Sequence, residues 1–181
     1  KDINEIILVV PENRVANIKK EVANIKKTKR VLVVSGGYRR QDSVKNGLLF
    51  VSSRSQLVCI HDGARPFVSQ KLIKQSIIAC SKNDGAIVAN PNFDTLKICE
   101  KGYVKKTVDR SNVWMAQTPQ VFWKIKLLDA ISISEKKNME VTDESSMMES
   151  LGYKVSVVRG DHNNFKITSR DDWERAANII T

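Results

Sequence analysis

Two glycines, a serine and several charges stand together in Gly36-Gly37-Tyr38-Arg39-Arg40-Gln41-Asp42-Ser43-Val44. Paired glycines let a backbone approach a ligand closely and leave amide groups to bond it. Ser43 falls where a helix is expected to begin, so its hydroxyl either caps that helix or contacts a base. A glycine turn followed by an ordinary N-cap explains the same residues, since glycine loops are weak signals. A second cluster, His61-Asp62-Gly63-Ala64-Arg65-Pro66, sets a carboxylate and a guanidinium three residues apart. Asp62 suits a divalent cation or a substrate hydroxyl. The planar fork of Arg65 suits a phosphate. A structural Asp–Arg pair around a turn is the alternative. His61 reads as a packed strand-end residue, because His162 is the only other histidine.

Five further segments carry polar groups of interest. Asp94-Thr95-Leu96-Lys97 and Val108-Asp109-Arg110 flank a projecting segment. Arg110 there is either a surface arginine or a phosphate contact, reaching into its own subunit or a neighbour. In Thr142-Asp143-Glu144-Ser145, Thr142 or Asp143 can cap a helix, and the acids suit its positive end. Thr142 is left for a substrate only if Asp143 is the cap. Lys166 follows the turn-forming cluster Asp161-His162-Asn163-Asn164 and is either aimed at a phosphate or simply solvated. Gln117-Thr118-Pro119-Gln120-Val121-Phe122 reads as a proline-pinned lead-in to a helix and little more.

These residues need a scaffold. Short apolar runs at Glu5–Val10, 31–34, Leu57–Ile60 and 85–89 predict buried strands, and helices are predicted over 13–27, 43–50 and 69–81. Such alternation implies an α/β fold, a mostly parallel sheet flanked by helices, with ligands beyond the carboxyl ends of its strands. The segments 95–99 and 103–108, flanking Glu100-Lys101-Gly102, predict a hairpin arm that packs on another chain, because an isolated hairpin buries little. A helix is expected near 123–133, another from about Thr142, a strand at 155–158 and a last helix over 171–180.

The 181 residues suit a single domain, the arm at about 94–110 included, and 41% hydrophobic content is ordinary for a globular chain. No apolar run approaches the roughly 20 residues that span a bilayer, so no membrane role is expected. The charged, then strand-like opening does not read as a signal peptide. Cys59, Cys80 and Cys99 are odd in number and form no CxxC pair, which argues against a disulfide framework or a zinc site and for a reducing, cytoplasmic compartment. Thirty Lys and Arg against 20 Asp and Glu leave a charge of +10, favouring anionic partners. Lys19, Lys20, Lys26, Lys27, Lys29 and Arg30 read first as a solvated helix face and its end.

Taken together, GGYRRQDSV, HDGARP, DTLK, VDR, AQTPQ, TDES and NFKIT, in this order and spacing, resemble the 2-C-methyl-D-erythritol 4-phosphate cytidylyltransferase family of the non-mevalonate isoprenoid pathway. The likeness runs from about Val31 to Ala177. It implies a Rossmann-like nucleotidyltransferase fold with a projecting β-arm that makes a homodimer. The implied reaction uses Mg²⁺ and joins CMP from CTP to a sugar-alcohol phosphate, releasing pyrophosphate. By resemblance, Gly36, Gly37, the Tyr38 backbone and Ser43 face the nucleotide. Asp62 and Arg65 match positions holding substrate near the metal, with Asp62 a possible metal ligand. Thr95, Arg110, Thr142 and Lys166 match the methylerythritol phosphate pocket, Arg110 and Lys166 as the residues acting on the reacting phosphate, and Arg110 coming across the dimer.

Two departures stand out. Relatives usually read HDAARP, and Gly63 replaces the first alanine. The family also begins with a strand, a glycine-rich loop bearing an Arg and a Lys for the triphosphate, and a Pro-Lys-Gln segment, none of which the sequence contains. The nucleotidyltransferase domain over 1–181 is therefore expected to be incomplete at its N-terminal side, and a molecule starting at Lys1 is expected not to turn over CTP. The nearest alternative is the sister group that makes CDP-ribitol from ribitol 5-phosphate; DTLK and NFKIT favour the methylerythritol enzyme. A different class is a catalytically dead nucleotide-binding or nucleic-acid-binding module. The chain lacks the clustered aromatic platform that stacks bases, so no nucleic-acid partner is expected.

Overall fold

The computed structural model describes residues 2–180. The chain divides into two compact units, one of residues 2–58 and Phe122–Lys154, the other of Cys59–Val121 and 155–180.

In the first unit, β1 (Glu5–Val10) and β2 (Arg30–Ser35) pair in parallel, with Val10 opposite Ser35. Both strands are near-continuous apolar runs of the kind parallel pairs require. Between them, Pro11 ends β1 and a 3-10 turn at Glu12–Arg14 leads into α1 (Val15–Ala23). The spacing predicts a helix to residue 27, yet α1 stops at Ala23, with Asn24 at its C-cap. Asn is a weak helix former, and the following lysines would stack like charges along one more turn. α2 (Arg40–Leu48) packs on β1 and β2. α4 (Lys124–Lys136) and α5 (Glu144–Ser150) pack on each other. Phe122, Leu127, Ala130 and Met148 are fully buried and form the heart of this unit's core; each large apolar side chain so buried contributes about 1.5–3 kcal/mol.

The second unit carries β4 (Gly85–Pro91) paired in parallel with β8 (Val155–Arg159), Ala89 opposite Arg159. They belong to a four-stranded sheet of order β3-β7-β4-β8, in which β3 is Leu57–Ile60 and β7 is Trp114–Trp123. Helix α3 (Gln70–Ser81) covers β4 and β8, entered through Ser69, whose hydroxyl accepts the Leu72 amide at 3.2 Å. Leu72, Cys80, Ala86, Val88 and Val121 line the core.

β7 corrects the expected lead-in to a helix at 117–122. The segment is a central strand in which Thr118–Phe122 are buried, and only after Trp123 does the helix begin. Periodicity fails there because Thr118 and Gln120 interrupt the apolar run, and the burial of Thr118 is stabilised by Asp62 and His61, distant in sequence. The predicted arm is present. β5 (Lys97–Glu100) and β6 (Tyr103–Thr107) form an antiparallel hairpin with Glu100 opposite Tyr103, and every residue of both strands is exposed. Lys101 and Gly102 both have positive φ, 51° and 85°, the two-residue turn that suits a twisted hairpin.

α6 (Arg170–Ile180) is anchored at its start by Asp172. One carboxylate oxygen of Asp172 accepts Thr168 N–H at 3.0 Å, Thr168 O–H at 2.9 Å and Ser169 N–H at 2.9 Å. These bonds, the Thr168 amide foremost, hold the Asp172 carboxyl down at about 2. A depressed carboxyl contributes stability above its unfolded value and loses it as pH falls through the folded one. Wild-type protein is therefore expected to lose thermal stability between about pH 4 and about pH 2, and Asp172→Asn to lose less over that window. Identical pH slopes for the two proteins would contradict this role.

Candidate functional site

The unusual residues fall where the strands end. In the first unit, Gly36 follows β2 and donates its N–H to Val10 O at 2.8 Å, so the loop starts beside the end of β1. Helix α2 begins at Arg40, three residues before the expected Ser43, because Asp42 closes its first turn by accepting Arg39 N–H at 3.1 Å. Ser43 is consequently not the cap. Its Oγ turns back and accepts Gly37 N–H at 3.0 Å. A Cβ on Gly36 would lie 2.8 Å from Ser43 Oγ, and one on Gly37 would run into Asp42 Cβ. The paired glycines are thus required by close packing of the loop on the first turn of α2. Tyr38, between loop and helix, is fully exposed.

Thr142 lies in the same unit, exposed, two residues before Glu144. Asp143 is the cap of α5, its Oδ1 accepting Ser146 N–H at 2.8 Å, so Thr142 is not occupied as a cap. Glu144 is buried, and Arg40 Nη1 reaches its two carboxylate oxygens at 2.7 Å each. Burial pushes the Glu144 carboxyl above its ordinary value, and the Arg40 guanidinium pulls it back.

In the second unit, Asp62, Arg65 and Lys166 come together after β3. Lys166 Nζ stands 3.2 Å and Arg65 Nε 3.7 Å from Asp62 Oδ2. Arg65 Nη1 donates to Asn164 O at 2.9 Å. Burial lowers the Arg65 pKa, and Asp62 opposes that shift. Lys166, one of two open readings in the sequence, is aimed at a carboxylate.

This cluster rests on a directed chain of hydrogen bonds. Asp62 N–H donates to Thr118 Oγ1 at 3.0 Å. Thr118 Oγ1 meets His61 Nδ1 at 3.0 Å, and His61 Nε2 meets Arg65 O at 2.9 Å. A carbonyl only accepts, so Nε2 carries the proton and Nδ1 accepts from the threonine hydroxyl. His61 is a packed strand-end histidine, as its sequence context suggests. Asn164, with no exposed surface, donates through Nδ2 to Thr118 O at 2.8 Å and to Gln117 Oε1 at 3.0 Å. Gly160, which follows β8, donates to Ala89 O at 2.9 Å. A side chain at Gly160 would strike Gln117 and Asn90. The loop backbone at Ile167 donates to Ala64 O at 2.8 Å, tying the Lys166 segment to the Asp62 segment. Arg175 stacks on Phe165 at 4.0 Å, and Phe165 on Phe67 at 5.6 Å.

Thr95 and Arg110 sit at the base of the arm, both exposed. The Arg110 guanidinium donates to Phe93 O, Asn92 Nδ2 donates to Asp94 O at 2.6 Å, and Val108 N–H bonds Leu96 O at 3.0 Å. Ser111 donates to Asp109 through N–H and O–H, lowering that carboxyl. Gly63 has open space around a would-be Cβ and no positive φ, so an alanine would fit there.

Asn164, Thr118 and Arg40 are absent from the residues singled out by sequence. The available signal was the polar pair Gln117-Thr118 inside the apolar run of β7. Cys59, whose half-buried thiol is pushed up by desolvation to about 11, is no nucleophile at neutral pH. Among the described residues no three His, Cys, Asp or Glu side chains converge on a metal-sized point.

Thr118→Val removes an acceptor from Asp62 N–H and a donor from His61 while keeping the volume. It is expected to cost about 1–3 kcal/mol of stability, read as a lower urea midpoint. An unchanged midpoint would show that the chain is not needed to hold the loop.

The sequence profile of 2-C-methyl-D-erythritol 4-phosphate cytidylyltransferase matches residues 1–181. The proteins of that name from Clostridioides difficile (strain 630) and Alkaliphilus oremlandii (strain OhILAs) are 37% and 39% identical to this chain. The alignments run over 179 and 180 residues and cover 99% and 98% of this chain and 76% of each relative. The crystal structure of 4-diphosphocytidyl-2C-methyl-D-erythritol synthase from Anaerococcus prevotii DSM 20548 is similar at a TM-score of 0.89 and 34% identity, covering 98% of this chain and 82% of that one. The 2-C-methyl-D-erythritol 4-phosphate cytidylyltransferase of Thermus thermophilus is similar at a TM-score of 0.83 and 31% identity, covering 97% of this chain and 81% of that one.

Proposed function

The chain belongs to the 2-C-methyl-D-erythritol 4-phosphate cytidylyltransferase family, and on that premise we propose how its strand-end clusters share the work. Its fold is the Rossmann-like α/β nucleotidyltransferase fold, and its activity is CTP-dependent cytidylyl transfer onto methylerythritol phosphate in isoprenoid precursor biosynthesis. A phosphate oxygen of the sugar phosphate bonds to the α-phosphorus of CTP. The bond from that phosphorus to the bridging oxygen breaks, and pyrophosphate leaves.

The single observation that carries the assignment is the meeting of two cations on Asp62. Arg65 and Lys166 are held beside a carboxylate that fixes their positions while an anion approaches. Charge on phosphate oxygens grows and shifts during transfer, and preorganised cations stabilise it without reorganising. Lys166, Arg110 and Thr95 act on the sugar phosphate, and Thr142 is assigned to the same substrate. The glycine loop takes the nucleotide through Gly36, Gly37 and the Tyr38 backbone, with Ser43 holding the loop by its bond to the Gly37 amide.

A single carboxylate fits Mg²⁺, which is commonly bound by one or two carboxylates together with substrate phosphates and waters. Asp62 is the residue that would hold it, and the ion would neutralise charge on the transferring phosphates. The arm is the homodimer contact. Its exposed Ile98, Tyr103 and Val104 support that role, because such side chains on a two-stranded hairpin find no core in their own chain. The family match over 1–181 supports one nucleotidyltransferase domain. Among the described residues no helix is long and apolar enough to cross a membrane. The free thiols of Cys59, Cys80 and Cys99 support a reducing, cytoplasmic location.

Kinetics of the full-length protein test the assignment. Lys166→Ala and Arg110→Ala are expected to weaken use of the sugar phosphate on the order of 100-fold in kcat/KM, with the KM for CTP little changed. Ser43→Ala is expected to raise the KM for CTP more than that for the sugar phosphate. If Arg110 acts across the dimer, mixing Arg110→Ala with Lys166→Ala chains restores activity that neither has alone. Failure of the mixture to recover activity would place Arg110 in its own subunit's chemistry, and wild-type kinetics in either single variant would remove that residue.

A further inference from the structure

The Arg40–Glu144 pair is more deeply buried than the other ion pairs described in the first unit, of which Arg30–Glu5, at 3.6 Å, joins a Glu5 side chain 11% exposed to an Arg30 side chain 61% exposed. Arg39–Asp42 and Lys45–Glu135 are exposed on both sides, with side chains 32–50% accessible. Pairs of that kind contribute little. The Glu144 side chain is 3% exposed, and a buried carboxylate without a partner is strongly unfavourable. The partner it has chosen is 104 residues away in sequence. Arg40 is the first residue of α2, directly after the loop built by Gly36, Gly37 and Tyr38. Glu144 is the first residue of α5, two after Thr142 and directly after its cap Asp143. One nitrogen of Arg40 reaches both carboxylate oxygens at 2.7 Å, so each helix start is fixed by the other. Asp42 and Asp143 then close the first turns around it, through Arg39 N–H and Ser146 N–H.

We propose that Arg40 and Glu144 are a positioning pair that sets the glycine loop and the Thr142 segment in one arrangement, so that the nucleotide contact and the sugar-phosphate contact are established together. The proposal rests on the assignment of Ser43's loop to CTP and Thr142 to the sugar phosphate. Neither Arg40 nor Glu144 need touch a substrate. Loss of the pair frees both segments at once, and its kinetic mark is a joint loss of affinity for both substrates. Arg65, Lys166 and Ser43 variants instead act mainly on one.

The test is steady-state kinetics of the full-length protein with CTP and methylerythritol phosphate each varied, beside thermal melts. Glu144→Gln keeps the shape of the side chain and removes its charge, which guards against a variant that fails to fold. Arg40→Ala and Glu144→Gln are each expected to raise the KM for both substrates on the order of tenfold. The double variant is expected to be no worse than the poorer single, because both report one contact. Arg40→Lys is expected to recover most of the loss, since a single nitrogen makes both bonds. A lower melting temperature with both KM values unchanged would reduce the pair to a structural contact and overturn the proposal. A rise confined to one substrate would overturn it as well. Ser43→Ala and Thr142→Ala, run alongside, separate the two levels. If they act on CTP and sugar phosphate respectively while the pair variants leave both KM values at wild type, the positioning pair fails and the site assignment stands. If they do not, the site assignment fails and takes the proposal with it.

Discussion

A buried amide governs the second unit. Asn164 has no exposed surface, and its side chain reaches Thr118 and Gln117 of β7 while its backbone oxygen takes the Arg65 guanidinium. A polar group so placed must be bonded or it costs about 1–3 kcal/mol, so the loop after β8 cannot drift from β7. The same threonine oxygen accepts the Asp62 N–H and donates its O–H to His61 Nδ1, and His61 Nε2–H reaches the Arg65 carbonyl. Two loops carrying Asp62, Arg65 and Lys166 are thereby referred to one central strand.

Electrostatics in the first unit follow the same logic with a charged pair. Burial raises the Glu144 carboxyl and Arg40 restrains it, which keeps the carboxylate usable as an anchor. The surface pairs around it are solvated and screened. The basic surplus of +10 is consistent with two anionic substrates, yet the cations that matter are few and are held individually. Arg65 is nearly buried, Lys166 half-exposed, and Arg110 fixed to a backbone carbonyl at the root of the arm.

Much of the fold was legible. Strands β1 and β3 match their apolar runs residue for residue, β2, β4 and β8 extend theirs by one or two, and the arm follows its turn. The boundaries that moved did so for local reasons: α2 begins early because Asp42 bonds back to Arg39, and α1 ends early among like-charged lysines. β7 was illegible because its inward-facing residues include threonine and glutamine. Hydrophobic patterning detects the transfer of apolar surface, and it is blind to a polar side chain whose burial is compensated by a partner far along the chain.

The sequence by itself determined the α/β alternation, the hairpin and the ordered motifs that resemble a cytidylyltransferase, because those depend on local spacing and residue type. It also pointed to Asp62 and Arg65 as one cluster and, separately, to Lys166. Only the tertiary structure decided that these three meet on a single carboxylate, that Ser43 braces the Gly37 amide instead of capping a helix, and that Arg40 is joined to Glu144. The Arg40–Glu144 contact joins residues 104 apart, which spacing does not signal, and it is selected by the cost of leaving the buried Glu144 carboxylate without a partner.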